Sequence, residues 1–393
     1  MQKSLLLLLA LFQATTACQS SPSPVTVADT PKPLAVSLVQ QSSNQSKIQV
    51  ALLLDTSNSM DGLIDQAKAQ LWKMVNRLAD AQRQQVGVEL EIALYEYGNN
   101  GLDASSGHIR LVQPMSTDLD GLSEKLFQLR TNGGEEYCGW VIQTSLKDIP
   151  WSANDNDLRI IVIAGNEPFN QGPVDPKNSC GTAKDRGILI NTIYCGDYET
   201  GVATGWKEGA DLGKGKYLII DTNKKVVHIN TPYDGRVLEL NEKLNKTYIG
   251  YGKEGEAKKM RQSAQDANAS QYGSSNFAQR AAAKSKATYR NEDWDIVDAA
   301  NADSDFLDKL EESSLPVEFK GKTKKEIKQE IERLSKEREV VKKELAELEK
   351  KMALFIAEET SKQSGSSETL DNVLINAVVE QAKTKGFSFP EVK

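Results

Sequence analysis

Histidine is nearly absent: two residues in a chain of 393. Histidine-based catalysis and histidine-ligated zinc therefore have almost nothing to work with. Excess positive charge is missing too. The net charge of −7 argues against a nucleic-acid partner, which favours a basic face. Cysteine is scarce, at four. The apolar run at residues 5–12 (LLLLLALF) is too short to span a bilayer but suits the core of a signal peptide. A chain of this length is expected to hold two or three domains, one of them a large α/β unit.

The leader reads as an address. Lys3 precedes the apolar run, and Ala14, Thr15, Thr16 and Ala17 lead to Cys18. This resembles a bacterial lipobox, with Thr15 where leucine is usual; cleavage after residue 17 leaves Cys18 as a lipid-bearing N-terminus. The other reading is an ordinary cleaved signal peptide. Gln19 after the cysteine implies, in the lipoprotein pattern of Gram-negative bacteria, the outer membrane and a periplasm-facing protein. Residues 18–46 are rich in Ser, Pro, Gln and Thr, a linker composition that can hold a globular body off a membrane.

The globular chain begins at residues 47–60, KIQVALLLDTSNSM. Residues 50–54 form an apolar run of the kind buried on both faces of a parallel sheet. Asp55, Ser57 and Ser59 follow at alternate positions. Leu63, Ile64, Ala67, Leu71, Val75 and Leu78 then recur at helical spacing. Strand, polar turn and amphipathic helix place the turn at the carboxyl end of a strand, where open α/β sheets bind ligands. Further strands are predicted at 88–97, 108–112, 158–164, 187–194 and 217–221. Helical segments at 119–129, 139–146 and 236–244 lie among and after them. The alternation predicts a doubly wound, mainly parallel sheet.

Asp-x-Ser-x-Ser in this setting resembles the metal-site motif of von Willebrand factor A-type domains, the fold shared with integrin inserted domains. TNGGEEYCG at 131–139, IAGNEPFNQGPVD at 163–175, TGWKEGA at 204–210 and YRNEDWDIVDA at 289–299 are similar to a bacterial envelope subfamily of unassigned activity. The resemblance implies a divalent cation, magnesium or else calcium or manganese, held by Asp55, Ser57 and Ser59. In the family a threonine of a second loop and an aspartate after the fourth strand complete the shell, and an open position takes an acidic residue of the partner. Where the threonine would fall, after Gly133 and Gly134, this chain has Glu135. Where the aspartate would fall stands Gly165, followed by Asn166 and Glu167. Two readings follow: Glu135, or failing that Glu136 or Glu167, replaces the missing carboxylate, with Asn166 nearby; or the first-loop residues simply cap the helix.

Rival motifs carry less. Gly250 to Gly255 spell G-x-G-x-x-G, but the polar segment after them and the lack of a following buried strand make it a turn. Cys138 sits beside Glu135 and Glu136, whose charge makes thiolate scarce, so a cysteine hydrolase is a distant third reading and no enzyme is expected. With Cys18 acylated, Cys138, Cys180 and Cys195 remain, an odd number that leaves one unpaired. A Cys180–Cys195 disulfide is expected, with a Cys138–Cys180 link as the outcome that would displace it.

Residues 47–252 are thus expected to form the sheet domain, 253–320 a helical or irregular connector, and 321–393 a long and a short helix. Ile327, Ile331, Leu334, Val341, Leu345, Leu348, Met352 and Phe355 follow four-three spacing, broken at Arg338. This reads as a coiled-coil seam or as a helix packed on its own domain. Leu370, Val373, Leu374, Ala377 and Val378 form a second stripe, predicting a hairpin across a turn at 363–367 and leaving Ile327 to Val341 free for the head, a second copy or another protein. The expected function is a lipid-anchored protein-binding module of the envelope. The runner-up is an assembly factor that works through its tail and keeps a vestigial metal site.

Overall fold

The computed structural model describes residues 45–223, 229–362 and 370–390. The leader, Cys18, the linker up to residue 44 and the turn at 363–367 lie outside them. Strand β1 (Lys47–Asp55) runs into α1 (Asp61–Ala79). A short antiparallel pair, β2 (Gln82–Arg83) and β3 (Val86–Gly87), precedes β4 (Glu89–Tyr97) and β5 (Ile109–Ser116). Then come α2 (Leu119–Gln128), α3 (Cys138–Asp148), β6 (Leu158–Gly165), α4 (Pro176–Asp185) and β7 (Leu189–Cys195). Helices α5 (Tyr198–Ala203) and α6 (Trp206–Leu212) lead to β8 (Lys214–Ile220). The remainder is helical: α7 (Asp234–Lys246), α8 (Gly255–Gln271), α9 (Ser274–Ser285), α10 (Ile296–Ala302), α11 (Phe306–Lys309), α12 (Lys324–Lys362) and α13 (Leu370–Thr384).

The main sheet has the order β5-β4-β1-β6-β7-β8, parallel throughout except for the antiparallel edge pair β4/β5. This is the doubly wound sheet the sequence predicts. Because β1 is central, its side chains feed two cores by strict alternation. Val50, Leu52 and Leu54 face α1 and the C-terminal helices, whereas Ala51 and Leu53 face α3, α4 and α6. The strand order reverses between β1 and β6, so the loops after Asp55 and Gly165 flank the crevice where such sheets bind ligands.

The boundary expected at residue 252 separates no packing units. The described residues from 45 on form one compact unit, since α9 and α13 bury Ala278, Ala281, Leu374 and Val378 in the same core as α1 and β1. The long helix is not a free coiled-coil seam. Its Ile327, Ile331 and Leu334 pack on Ile249, Ile296, Val297 and Phe319, and Val341, Leu345, Leu348 and Met352 join the sheet core. Nor does α13 fold back as the hairpin partner of α12: it packs against α1 and β8. Four-three spacing shows that one face of a helix is covered; it does not say by what. Among the described residues no helix is long and apolar enough to cross a membrane.

Candidate functional site

The last residue of β1 is Asp55, and the parallel register sets it level with Tyr97, the last residue of β4. Both are fully buried. Asp55 Oδ1 accepts the Ser57 backbone N–H at 2.7 Å, which turns the chain sharply toward α1. The hydroxyls of Ser57 and Ser59 lie 3.1 Å apart, and Ser59 donates to Asn166 Oδ1 at 3.3 Å. The first-loop residues and the loop after β6 therefore meet, as their positions in the sequence imply. Thr56 anchors the turn from behind, its N–H bonding the Tyr97 carbonyl at 2.9 Å and its carbonyl accepting Asn132 N–H at 2.9 Å.

The carboxylate that faces this turn is Glu136, not Glu135. Glu135 is exposed and takes a hydrogen bond from the Tyr137 hydroxyl on the outside of the loop. Glu136 is 3% exposed and lies beside Asp55, the two side chains closing on the same point over Gly98. Successive side chains in an irregular loop point apart, and here the inward one is the second. Gly98 permits this approach: it has φ of 78°, and a Cβ there would come 2.8 Å from both Asp55 Oδ1 and Glu136 Cγ. Glu167 itself is exposed; its side chain accepts from Gln171 Nε2 at 3.3 Å and its carbonyl accepts Trp206 Nε1 at 2.8 Å.

Burial raises the Asp55 carboxyl well above the usual range, and the adjacent Glu136 raises it further. Burial also raises Glu136, with Glu167 adding to it, while hydrogen bonds from Asp55 and Ser57 pull the other way. Among the described residues no donor faces Asp55 Oδ2 or Glu136 Oε2. Two buried carboxyl groups in contact can ease this by sharing a proton or by holding a cation. Among the described residues no three His, Cys, Asp or Glu side chains converge as a ligand group; the donors here are two carboxylates and two hydroxyls. That set fits a hard cation.

At the position where the resemblance implies an aspartate, Gly165 leaves no room for a side chain. A Cβ would meet the Tyr97 hydroxyl at 2.6 Å and Asp55 Oδ2 at 3.1 Å. Tyr97 donates to the Ala164 carbonyl at 2.9 Å and fills that space. Sequence reading missed Tyr97; the signal was its place at the end of β4, the strand that pairs with β1.

The expected Cys180–Cys195 disulfide is not formed. Cys138, Cys180 and Cys195 are all free and buried. Cys180 lies on α4 in the core containing Leu53, whereas Cys195 points into the opposite core with Leu54. Alternation along β7 puts the sheet itself between them. Cys138 lies 3.8 Å from the Tyr97 hydroxyl, and burial pushes its thiol well up.

No family model matches the chain, and no curated protein matches it. Among solved structures, BatB from Bacteroides thetaiotaomicron is 16% identical over 44% of this chain and 90% of its own, with a TM-score of 0.34. The SpRpn10 VWA domain is 14% identical over 45% of this chain and 89% of its own, with a TM-score of 0.34. Proximal thread matrix protein 1 from the mussel byssus, with a zinc-occupied MIDAS motif, is 10% identical over 46% of this chain and 43% of its own, with a TM-score of 0.35. The chain thus spans less than half the length of the byssus protein.

Proposed function

We propose that this chain, a von Willebrand factor A-like domain wrapped by its own C-terminal helices, is a protein-binding module of the bacterial envelope that holds a divalent cation at the carboxyl edge of its sheet. The observation that supports this is the pair of buried oxygens, Asp55 Oδ2 and Glu136 Oε2, that meet no donor among the described residues, beside the Ser57 and Ser59 hydroxyls. Asp55, Ser57, Ser59 and Glu136 are the residues to hold the ion, magnesium or else calcium or manganese, with Asn166 steadying Ser59. When bound, such an ion offers a positive centre to an oxygen of the partner. Two carboxylates nearly neutralise a divalent charge, which favours retention of the ion over capture of an acidic group. Lipidation at Cys18, with placement at the outer membrane, belongs to the same proposal.

Calorimetric titration of the full chain with magnesium, calcium and manganese is the test. Heat with wild type that is lost in Asp55→Ala supports the reading. No heat from any of the three at millimolar concentration overturns it. An assembly role carried by the tail has less in its favour, because the apolar stripe of α12 is used up within this chain.

A further inference from the structure

Lys284 of α9 is fully buried. Its Nζ donates to Asn241 Oδ1 at 2.8 Å and to Asn245 Oδ1, two side chains one turn apart on α7. It also contacts both oxygens of Asp266 on α8, at 3.0 Å and 3.3 Å. Asp266 Oδ2 accepts the Nδ2 groups of the same two asparagines, at 2.9 Å and 2.8 Å. Arg280 Nε holds the other oxygen, Oδ1, at 3.0 Å. One carboxylate oxygen therefore bridges an amine and the nitrogens of the carboxamides whose carbonyls face that amine. Nothing in the proposed cation site uses this cluster, and a buried ion pair by itself adds little net stability over apolar packing.

We propose that Lys284 and Asn245 become joined by an isopeptide bond that ties α9 to α7. The Nζ lone pair attacks the Asn245 side-chain carbonyl carbon and forms the new C–N bond. Asp266 takes the surplus proton from Nζ and delivers it to Nδ2 through the oxygen that touches both. The bond from the carbonyl carbon to Nδ2 breaks and ammonia leaves. A lysine amine and an asparagine carboxamide thus become one secondary amide plus ammonia, with no change of oxidation state and no co-reactant.

Three features of the cluster favour the step. Burial pushes the Lys284 amine down to about 8, against the pull of Asp266, so a neutral, nucleophilic fraction exists near neutral pH. Burial opposes ionisation of Asp266, but the charges of Lys284 and Arg280 and the two amides outweigh it and keep it ionised, an open acceptor for the proton of a nitrogen that turns acidic on attack. The groups are held in contact, with Lys284 and Asp266 buried and Asn245 half-buried; effective molarities of roughly 10⁵–10⁸ M are reached in well-oriented arrangements, and a single event per molecule suffices. Asn241, bonded to the same amine, keeps it aimed.

Proteolytic mapping of the denatured full chain by mass spectrometry tests this. The expected product is a branched peptide joining the Lys284 and Asn245 segments, lighter than the two together by one ammonia. Lys284→Arg and Asp266→Asn should yield only linear peptides. Linear peptides alone from the wild-type chain overturn the proposal, and that result needs no variant to fold. A branch at Asn241 overturns the assignment of Asn245 as the electrophile.

Discussion

The Arg338 guanidinium of α12 lies 4.0 Å from the centre of the Tyr248 ring, sealed from solvent at the one position where the apolar stripe of the helix is broken. There it pairs with Asp295 Oδ2 at 2.6 Å and with Asp298, and donates to Thr247 Oγ1 at 3.0 Å. Asp295 also accepts the Ile249 and Asp298 backbone N–H groups. Arg338→Met should therefore leave a buried carboxylate uncompensated, at a cost of ~3–5 kcal/mol. Urea unfolding measures it, and Asp295→Asn in the same chain should recover part of the loss. A change within experimental error would show that the joint contributes nothing.

The stripe beside that joint makes a second prediction. Ile331 and Leu334 are each 4% exposed, so Leu334→Ala should cost ~2–5 kcal/mol through lost burial and the cavity left behind. Light scattering should show the same molecular mass for variant and wild type, because the face is covered from within. Dissociation of an oligomer on this substitution would place the stripe at an interface instead.

The thiols should be silent. Burial raises Cys180 to about 12, with Asp175 and Glu208 adding to it, and raises Cys138 and Cys195 well above the ordinary thiol value. Thiolate is the reactive form, so maleimide should label none of the three in the native chain and all of them in denaturant, without reductant. A thiol count short by two after denaturation would reveal a disulfide.

Gly165→Asp, which supplies the aspartate that the resemblance implies at this position, should damage the protein rather than complete its site. The added Cβ meets the Tyr97 hydroxyl at 2.6 Å and the Trp206 ring at 3.1 Å. Overpacking costs ~1–3 kcal/mol, and a new carboxylate beside Asp55 adds repulsion. Thermal unfolding should fall accordingly; an unchanged midpoint would mean that Tyr97 moves aside.

The legible parts of this chain are those that a short stretch of sequence sets by itself. Asp55, Ser57 and Ser59 share one turn after one apolar strand, so their convergence could be read directly. Glu136 could not be told from Glu135, since no periodicity governs direction in an irregular loop. Tyr97 required the pairing of β1 with β4, a contact between residues far apart in sequence. The fate of α12 and α13 depended on the surface left open by α1, α7 and β8, which no spacing rule supplies. The buried cluster around Lys284 was invisible for the same reason: α7, α8 and α9 each contribute one corner of it.

Glu136 offers the sharpest test of the site, because one substitution should move two quantities in opposite directions. Glu136→Gln keeps the shape and removes one of the two buried carboxylates. Its amide can donate to Asp55 Oδ2, which has no donor among the described residues of the wild type; a hydrogen bond to a charged group contributes ~1.5–3 kcal/mol. The metal-free protein should therefore become more stable. Cation affinity should fall by about tenfold or more, equivalent to at least ~1.4 kcal/mol, because half of the carboxylate charge has gone. Glu135→Gln, on the exposed side of the same loop, should alter neither. Chemical unfolding with chelator present reads the first quantity and calorimetry the second. A site that only shares a proton would show the gain in stability with no affinity to lose, whereas loss of binding in Glu135→Gln would return the ligand role to the outer residue.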